Sequence, residues 1–204
     1  MQRSYILIGL FLIGILLVSC TQKTEKDMSY EKENPLTAEY IADEMLQYVT
    51  ALQIRAKELN EEITDPSVLR AIDDVKVASR ELQKEAHAMQ DKGKIGSFFG
   101  INNNFAAGGV ILSGEWLYTD YEFEVSAAPD IELYLAKHVN PHTKEELFSE
   151  ETKLVGSLQS FRGALRYDVG TLSSTEWNEY RTVALYSRPM GTIIGLAQIR
   201  GKVR

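Results

Sequence analysis

The sequence predicts an α+β protein in which an N-terminal antiparallel helical hairpin precedes an antiparallel β-sandwich. Three observations carry that prediction. Between Thr37 and Lys92 the apolar residues recur at alternating spacings of four and three. From Val110 onward, short runs rich in Val, Ile, Tyr and Phe are divided by Gly, Pro, Asp and Asn. Ahead of both, an apolar stretch ends at Cys20, the only cysteine of the chain.

That first stretch follows Met1-Gln2-Arg3, runs from Ile6 to Val18, and gives way at once to the polar residues Thr21–Asp27. Its 13 residues fall short of the span that a bilayer-crossing helix needs. The layout predicts a signal peptide over residues 1–19, with an uncleaved transmembrane anchor as the weaker alternative. Leu17-Val18-Ser19-Cys20 resembles the bacterial lipobox, which implies cleavage before Cys20 and diacylglycerol on its thiol. Two or three acyl chains anchor stably, whereas one is marginal at about 0.8 kcal/mol per buried methylene. Thr21 stands where Asp would signal inner-membrane retention in enteric bacteria, so the resemblance favours the outer membrane of a Gram-negative host. Residues 20–35, polar and ending in Asn34-Pro35, read as a flexible tether.

Composition narrows the function of the rest. With 44% hydrophobic and 25% charged residues, the chain has the balance of a folded protein. Removing residues 1–19 takes away only Arg3 and leaves 21 basic against 29 acidic side chains. That balance argues against binding to nucleic acid. A lone cysteine at position 20 excludes intramolecular disulfides, and it leaves no thiol for redox chemistry, metal ligation or catalysis in the folded part.

In the hairpin, expected over residues 36–92, the first seam is Met45, Val49, Leu52, Ala56, Leu59 and Ile63, with Ile41 extending it toward the start. Thr37 and Tyr40 form an incomplete capping box, and Glu39 falls in the first turn, where a negative charge suits the helix dipole. Thr64-Asp65-Pro66 ends this helix and supplies an N-cap and a first-turn proline to the next. The second seam is Val68, Ile72, Val75, Ser79, Leu82, Ala86 and Met89, stopping near Lys92-Gly93. So short a turn makes the helices antiparallel. Their charged faces read as solvated surface, and His87 stands without a second metal ligand. Apolar surface beyond what two helices cover would meet the C-terminal domain or a partner and favour a dimer or bundle, whereas a covered seam would favour a monomer.

Residues 93–109 are rich in Gly and Asn yet carry Phe98, Phe99, Ile101 and Phe105. They read as a linker that lies against a domain through its rings, with an exposed membrane-touching or partner-touching segment as the alternative. The β domain, 110–204, begins with Tyr121, Phe123 and Val125 alternating with Glu122 and Glu124. Ile131, Leu133 and Leu135 repeat the pattern, and further strands are expected at Lys153–Leu158, Ala164–Val169, Arg181–Ser187 and Gly191–Ile199. The polar stretch His138–Ser149 is expected to be a loop.

The β stretch Gly109–Ile199 resembles the electron-transfer DM-thirteen family, a small β-sandwich of secreted and membrane-anchored proteins. Its matching pieces are Phe123 with Ala128–Leu135, Val155-Gly156-Ser157-Leu158, Gly163 with Tyr167-Asp168-Val169, Tyr180–Ser187, and Gly195-Leu196-Ala197. Many members carry a cysteine near the end of the strand that here reads Val183–Ser187, and their proposed redox role leans on it. Ser187 occupies that position in this chain. A serine hydroxyl neither cycles between thiol and disulfide nor ligates a soft metal.

Other constellations are weaker. His138 and His142 are four apart, but Pro141 blocks the helix that would align them; a loop could still join them with Glu145 or Glu146 around a metal. No G-x-S-x-G elbow or phosphate-cradling loop occurs. Glu122 and Glu124 read as a wet strand face. The expectation is a non-enzymatic, cofactor-free, lipid-anchored module outside the cytoplasm that binds an envelope protein or polymer. The rival is an accessory protein of an extracytoplasmic electron-transfer or metal-handling system.

Overall fold

The computed structural model describes residues 33–59 and 62–201. Leu17, Val18, Ser19 and Cys20, and most of the expected tether, lie outside them. The tether's last three residues do not, and of these Asn34 and Pro35 are buried. Asn34 is the N-cap of helix α1 (Pro35–Glu58), its Oδ1 accepting from the amides of Leu36 and Thr37. Capping therefore falls three residues earlier than Thr37, and Glu39 lies beyond the first turn. Glu39 instead accepts hydrogen bonds from Gln90 at 2.6 Å and pairs with His87 Nε2 at 2.8 Å.

Helix α2 (Pro66–Gln90) starts as the sequence indicates, with Asp65 accepting from Ser67 N ahead of a first-turn proline. The two helices pack along the expected stripes: Val49, Ile72, Ser79 and Ala86 are buried, and Met45, Leu52, Ala56, Val68, Val75, Leu82 and Met89 are partly covered. Near the base the facing residues are small. Ser79 Oγ can therefore reach across and donate to the Ala42 carbonyl at 2.7 Å. Leu59 departs from the expected seam, since it forms the C-cap of α1 and is 52% exposed.

Among the described residues nine strands form one antiparallel sheet: β1 (Lys94–Gly100), β3 (Gly109–Ser113), β4 (Trp116–Thr119), β6 (Ile131–Ala136), β7 (Thr152–Ser157), β8 (Arg166–Asp168), β9 (Thr182–Ser187), β10 (Thr192–Gln198) and β11 (Arg200–Gly201). The order is β7-β6-β9-β10-β1-β3-β4-β8, with β11 beside β1. A second ladder of two residues each joins β2 (Ala106–Ala107) to β5 (Glu124–Val125). The first half of β1 pairs with β3, and its second half pairs with β10. The two layers of the expected sandwich are therefore halves of a continuous, nearly barrel-like sheet that bends at β1. At the free ends of the sheet, the Gln159 amide donates to the Tyr167 hydroxyl at 3.1 Å. Between the halves lie Phe98, Leu112, Phe123, Leu133, Leu185 and Ile194, among others.

This arrangement corrects the expectation of a linker over 93–109. The segment contains a strand that runs through both halves of the sheet. Its glycines serve close approach rather than freedom: a Cβ on Gly96 would collide with the Gln198 carbonyl, and one on Gly100 with the Asn104 carbonyl. Of the three rings, only Phe98 enters the core, where it meets Phe123 edge-on at 5.2 Å. Phe123 and Val125 are buried as their alternation requires, but Tyr121 turns outward and stacks on Tyr40 of α1.

The loop expected at His138–Ser149 holds one short helix, α3 (Lys144–Leu147). It buries Leu147 against the outer face of β6, β9 and β10, while Phe148 packs edge-on against Tyr134 and Tyr186. That cover explains why every residue of β9 is buried. Helix α4 (Ser174–Glu179), which hydrophobic periodicity did not reveal, starts at a capping box of Ser173 and Glu176. At its other end, the buried Lys94 donates to the carbonyls of Trp177 and Tyr180. Burial, and then the nearby Arg181, lowers the Lys94 pKa from its ordinary value. Among the described residues, no helix is long and apolar enough to cross a membrane.

Candidate functional site

The β domain is concave where the start of β6, the loop after β7 and the turn after β9 meet. A cleft of about 240 Å³ opens there, with Ile131, Leu158 and Phe161 as apolar walls and Asp130, Glu132 and Arg188 as charged ones. Glu132 projects from β6, which pairs on both sides, so its carboxylate sits against a rigid support. Its side chain is only 8% exposed. One oxygen pairs with Arg188 at 2.9 Å and the other accepts from the Tyr134 hydroxyl at 2.7 Å.

Burial first, and then the bond to Glu132, push the Tyr134 phenol up to about 12. The phenol therefore stays protonated at physiological pH and serves as a donor to the carboxylate. Glu132 in turn is neutralised by a guanidinium and held by a hydroxyl. At the mouth of the cleft both oxygens of the Glu132 carboxylate are thus already engaged, one by a guanidinium and one by a hydroxyl.

Ser187 lies next to this cleft, at the end of β9, opposite Ile131 in the ladder. It is completely buried, and its hydroxyl donates to the Pro129 carbonyl at 2.6 Å. The position where the resembled family carries a cysteine is thus filled by a group whose proton is already committed to the backbone.

His138 and His142 occupy the stretch that leads into α3. The His142 amide donates to Glu146 at 2.7 Å, and its Nε2 lies 2.8 Å from Asn140 Nδ2. The Glu146 carboxyl is held below its usual range by the His142 amide first and by the two histidines in lesser degree. His138 Nδ1 is buried without a hydrogen-bond partner. Among the described residues, no group of three or more His, Cys, Asp or Glu side chains is placed to hold a metal ion.

The Glu132–Arg188 pair escaped the sequence reading. In Ile131-Glu132-Leu133-Tyr134-Leu135, a polar residue between apolar ones signals a wet face. Only the fold of the turn after β9, whose Arg188 amide also donates to the Asp130 carbonyl, covers that face with a cation. Comparison of the chain with protein-family models, with curated proteins and with solved structures gives no match.

Proposed function

We propose that this chain is a lipoprotein of the bacterial cell envelope, anchored by acyl chains on Cys20, whose hairpin and β domain form a binding or assembly module without catalysis. The observation that carries it is the sequence Leu17-Val18-Ser19-Cys20 at the end of the apolar stretch Ile6–Val18. The only thiol of the chain stands where acylation would use it.

The fold is compatible with this role. Asn34 caps the first described helix and is itself buried, a short way along the sequence from the proposed attachment point. We read the β domain as a DM-thirteen-like domain without the redox cysteine, its matching pieces falling on β6 through β10. The commitment of Ser187 to the Pro129 carbonyl supports binding over electron transfer.

Mass spectrometry and metal analysis of the protein from its native membrane, beside a Cys20→Ala form, test the proposal. An acylated N-terminal peptide beginning at Cys20, without stoichiometric metal, is the expected result. An unmodified Cys20 would overturn the anchor. Bound metal that disappears on changing His138 and His142 would replace the binding role with metal handling.

A further inference from the structure

We infer that the outer face of α1 docks antiparallel against the same face of a second copy of this chain, joining two thin hairpins through their first helices. The inference concerns the folded hairpin and holds whether or not Cys20 is acylated.

One flank of the hairpin is closed by polar contacts between the helices, Gln83 to Asp43 at 3.2 Å and Gln90 to Glu39 at 2.6 Å. On the opposite flank α1 carries a second stripe at the spacing of its seam: Ile41, Glu44, Tyr48, Ala51, Arg55 and Glu58. Within this stripe only Ile41 is even partly covered; Tyr48 is 41% exposed. On α2 the same flank carries Ala71 and Ala78 between Asp74, Glu81 and Glu85, all exposed, so the contact is one between the two α1 helices.

Two of the three pairs of the stripe are complementary when it is laid on its own reverse, and the third sets Ile41 against Glu58. Laid antiparallel on a copy, with the two-fold axis between positions 49 and 50, Tyr48 faces Ala51 and Glu44 faces Arg55. Each ring meets a methyl group, and each carboxylate meets a guanidinium. The same register brings Leu59, exposed at the hairpin tip, level with Tyr40, whose ring stacks on the exposed Tyr121 at 5.6 Å. Each contact occurs twice, which is the condition for an interface that closes at two copies. A foreign helix would need no such symmetry.

Two further features fit this occupant. Leu52, Ala56, Val68 and Val75 remain only partly covered in the hairpin alone, which is the shortfall of a two-helix core. The present partners of the charges are weakly held: Arg55 pairs with Glu58 at 3.1 Å and Glu44 accepts from Tyr40 at 2.8 Å, both at the exposed surface. They can be exchanged for contacts across the interface at little cost.

Light scattering on the full mature chain in mild detergent, corrected for bound detergent, tests the inference. A dimer is expected at micromolar concentration. Glu44→Arg and Arg55→Glu, each alone, should weaken it about tenfold or more by setting like charges together, and the double variant should restore it. Circular dichroism establishes that the variants are folded. Independently, Tyr48→Cys chains mixed with Ala51→Cys chains should cross-link faster than either alone. A folded monomer at all concentrations, a double variant that stays monomeric while folded, or cross-linking no faster in the mixture would each overturn it.

Discussion

Asn34 Nδ2 donates to the Thr119 carbonyl at 2.7 Å while Asn34 Oδ1 accepts from the first amides of α1, so one buried side chain both starts the hairpin and ties it to the end of β4. The residue thus converts the end of an apparent tether into the joint between two parts of the fold. Nearby, Ile111 of β3 reaches Gly93 at the end of the hairpin, and a Cβ on that glycine would crowd it.

Asn34→Ala removes the cap and leaves the buried Thr119 carbonyl without its donor. Together these cost about 2 kcal/mol, from roughly 1 for the cap and 1 for the hydrogen bond. Asn34→Ser keeps a capping acceptor for the α1 amides but is too short to donate to Thr119, so Asn34→Ala should show the lower urea midpoint. Equal loss in both variants would place the whole effect on the Thr119 contact.

Gly96→Ala should destabilise the β domain by about 2 kcal/mol or more, because its Cβ would overlap the Gln198 carbonyl within a paired region of sheet. Gly201→Ala, where nothing lies within 4 Å of the added atom, is the control and should be close to neutral. Thermal unfolding of the two variants side by side measures the difference. If they unfold alike, the strand does not demand close approach at Gly96.

Ser187→Cys, made with Cys20→Ala to remove the other thiol, introduces the residue type that the resemblance would place near the end of β9. Since Ser187 is completely buried, the new thiol should react with a water-soluble disulfide reagent only after denaturation. Rapid labelling in the native protein would show that the site opens. The variant should also lose about 1 kcal/mol of stability with the bond to Pro129.

Asp120 gives a pH dependence of definite sign. Its Oδ1 is buried without a hydrogen-bond partner, and burial raises its pKa above the ordinary carboxyl value despite the Gly109 amide bound to Oδ2. The native state therefore holds this proton more tightly than the unfolded chain does. That contribution is complete below the unfolded pKa and is lost as pH rises through the folded one. Asp120→Asn should accordingly be more stable than the parent at neutral pH, and the gap should close as both are acidified below the usual aspartate range. Denaturant titrations at several pH values measure it; a gap that widens on acidification would contradict the sign.

The residues show what was legible. The helix seams were readable because a coiled contact repeats every seven residues, and Val49, Ile72, Ser79 and Ala86 are indeed at the interface. Ile131, Leu133 and Leu135 were readable because alternation in a strand with one core-facing side leaves a period of two, and all three are buried. Strand β1 was not readable. Composition records that a segment is rich in glycine but not whether the space beside each glycine is empty or occupied.

By itself, then, the sequence determined the periodic elements, their order, and the place of the lone Cys20, and it set a serine at 187, where the resemblance would put a cysteine. These depend on residue type and on spacing along one chain. Tertiary structure alone decided that β1 joins two halves of one sheet, that Asn34 is a joint, and that Glu132 meets Arg188 at a cleft. Each of these rests on contacts between distant segments: Asn34 meets Thr119 across 85 residues, and Ser187 meets Pro129 across 58. A local pattern cannot encode such a contact, because its free energy exists only once packing has brought both partners out of water together.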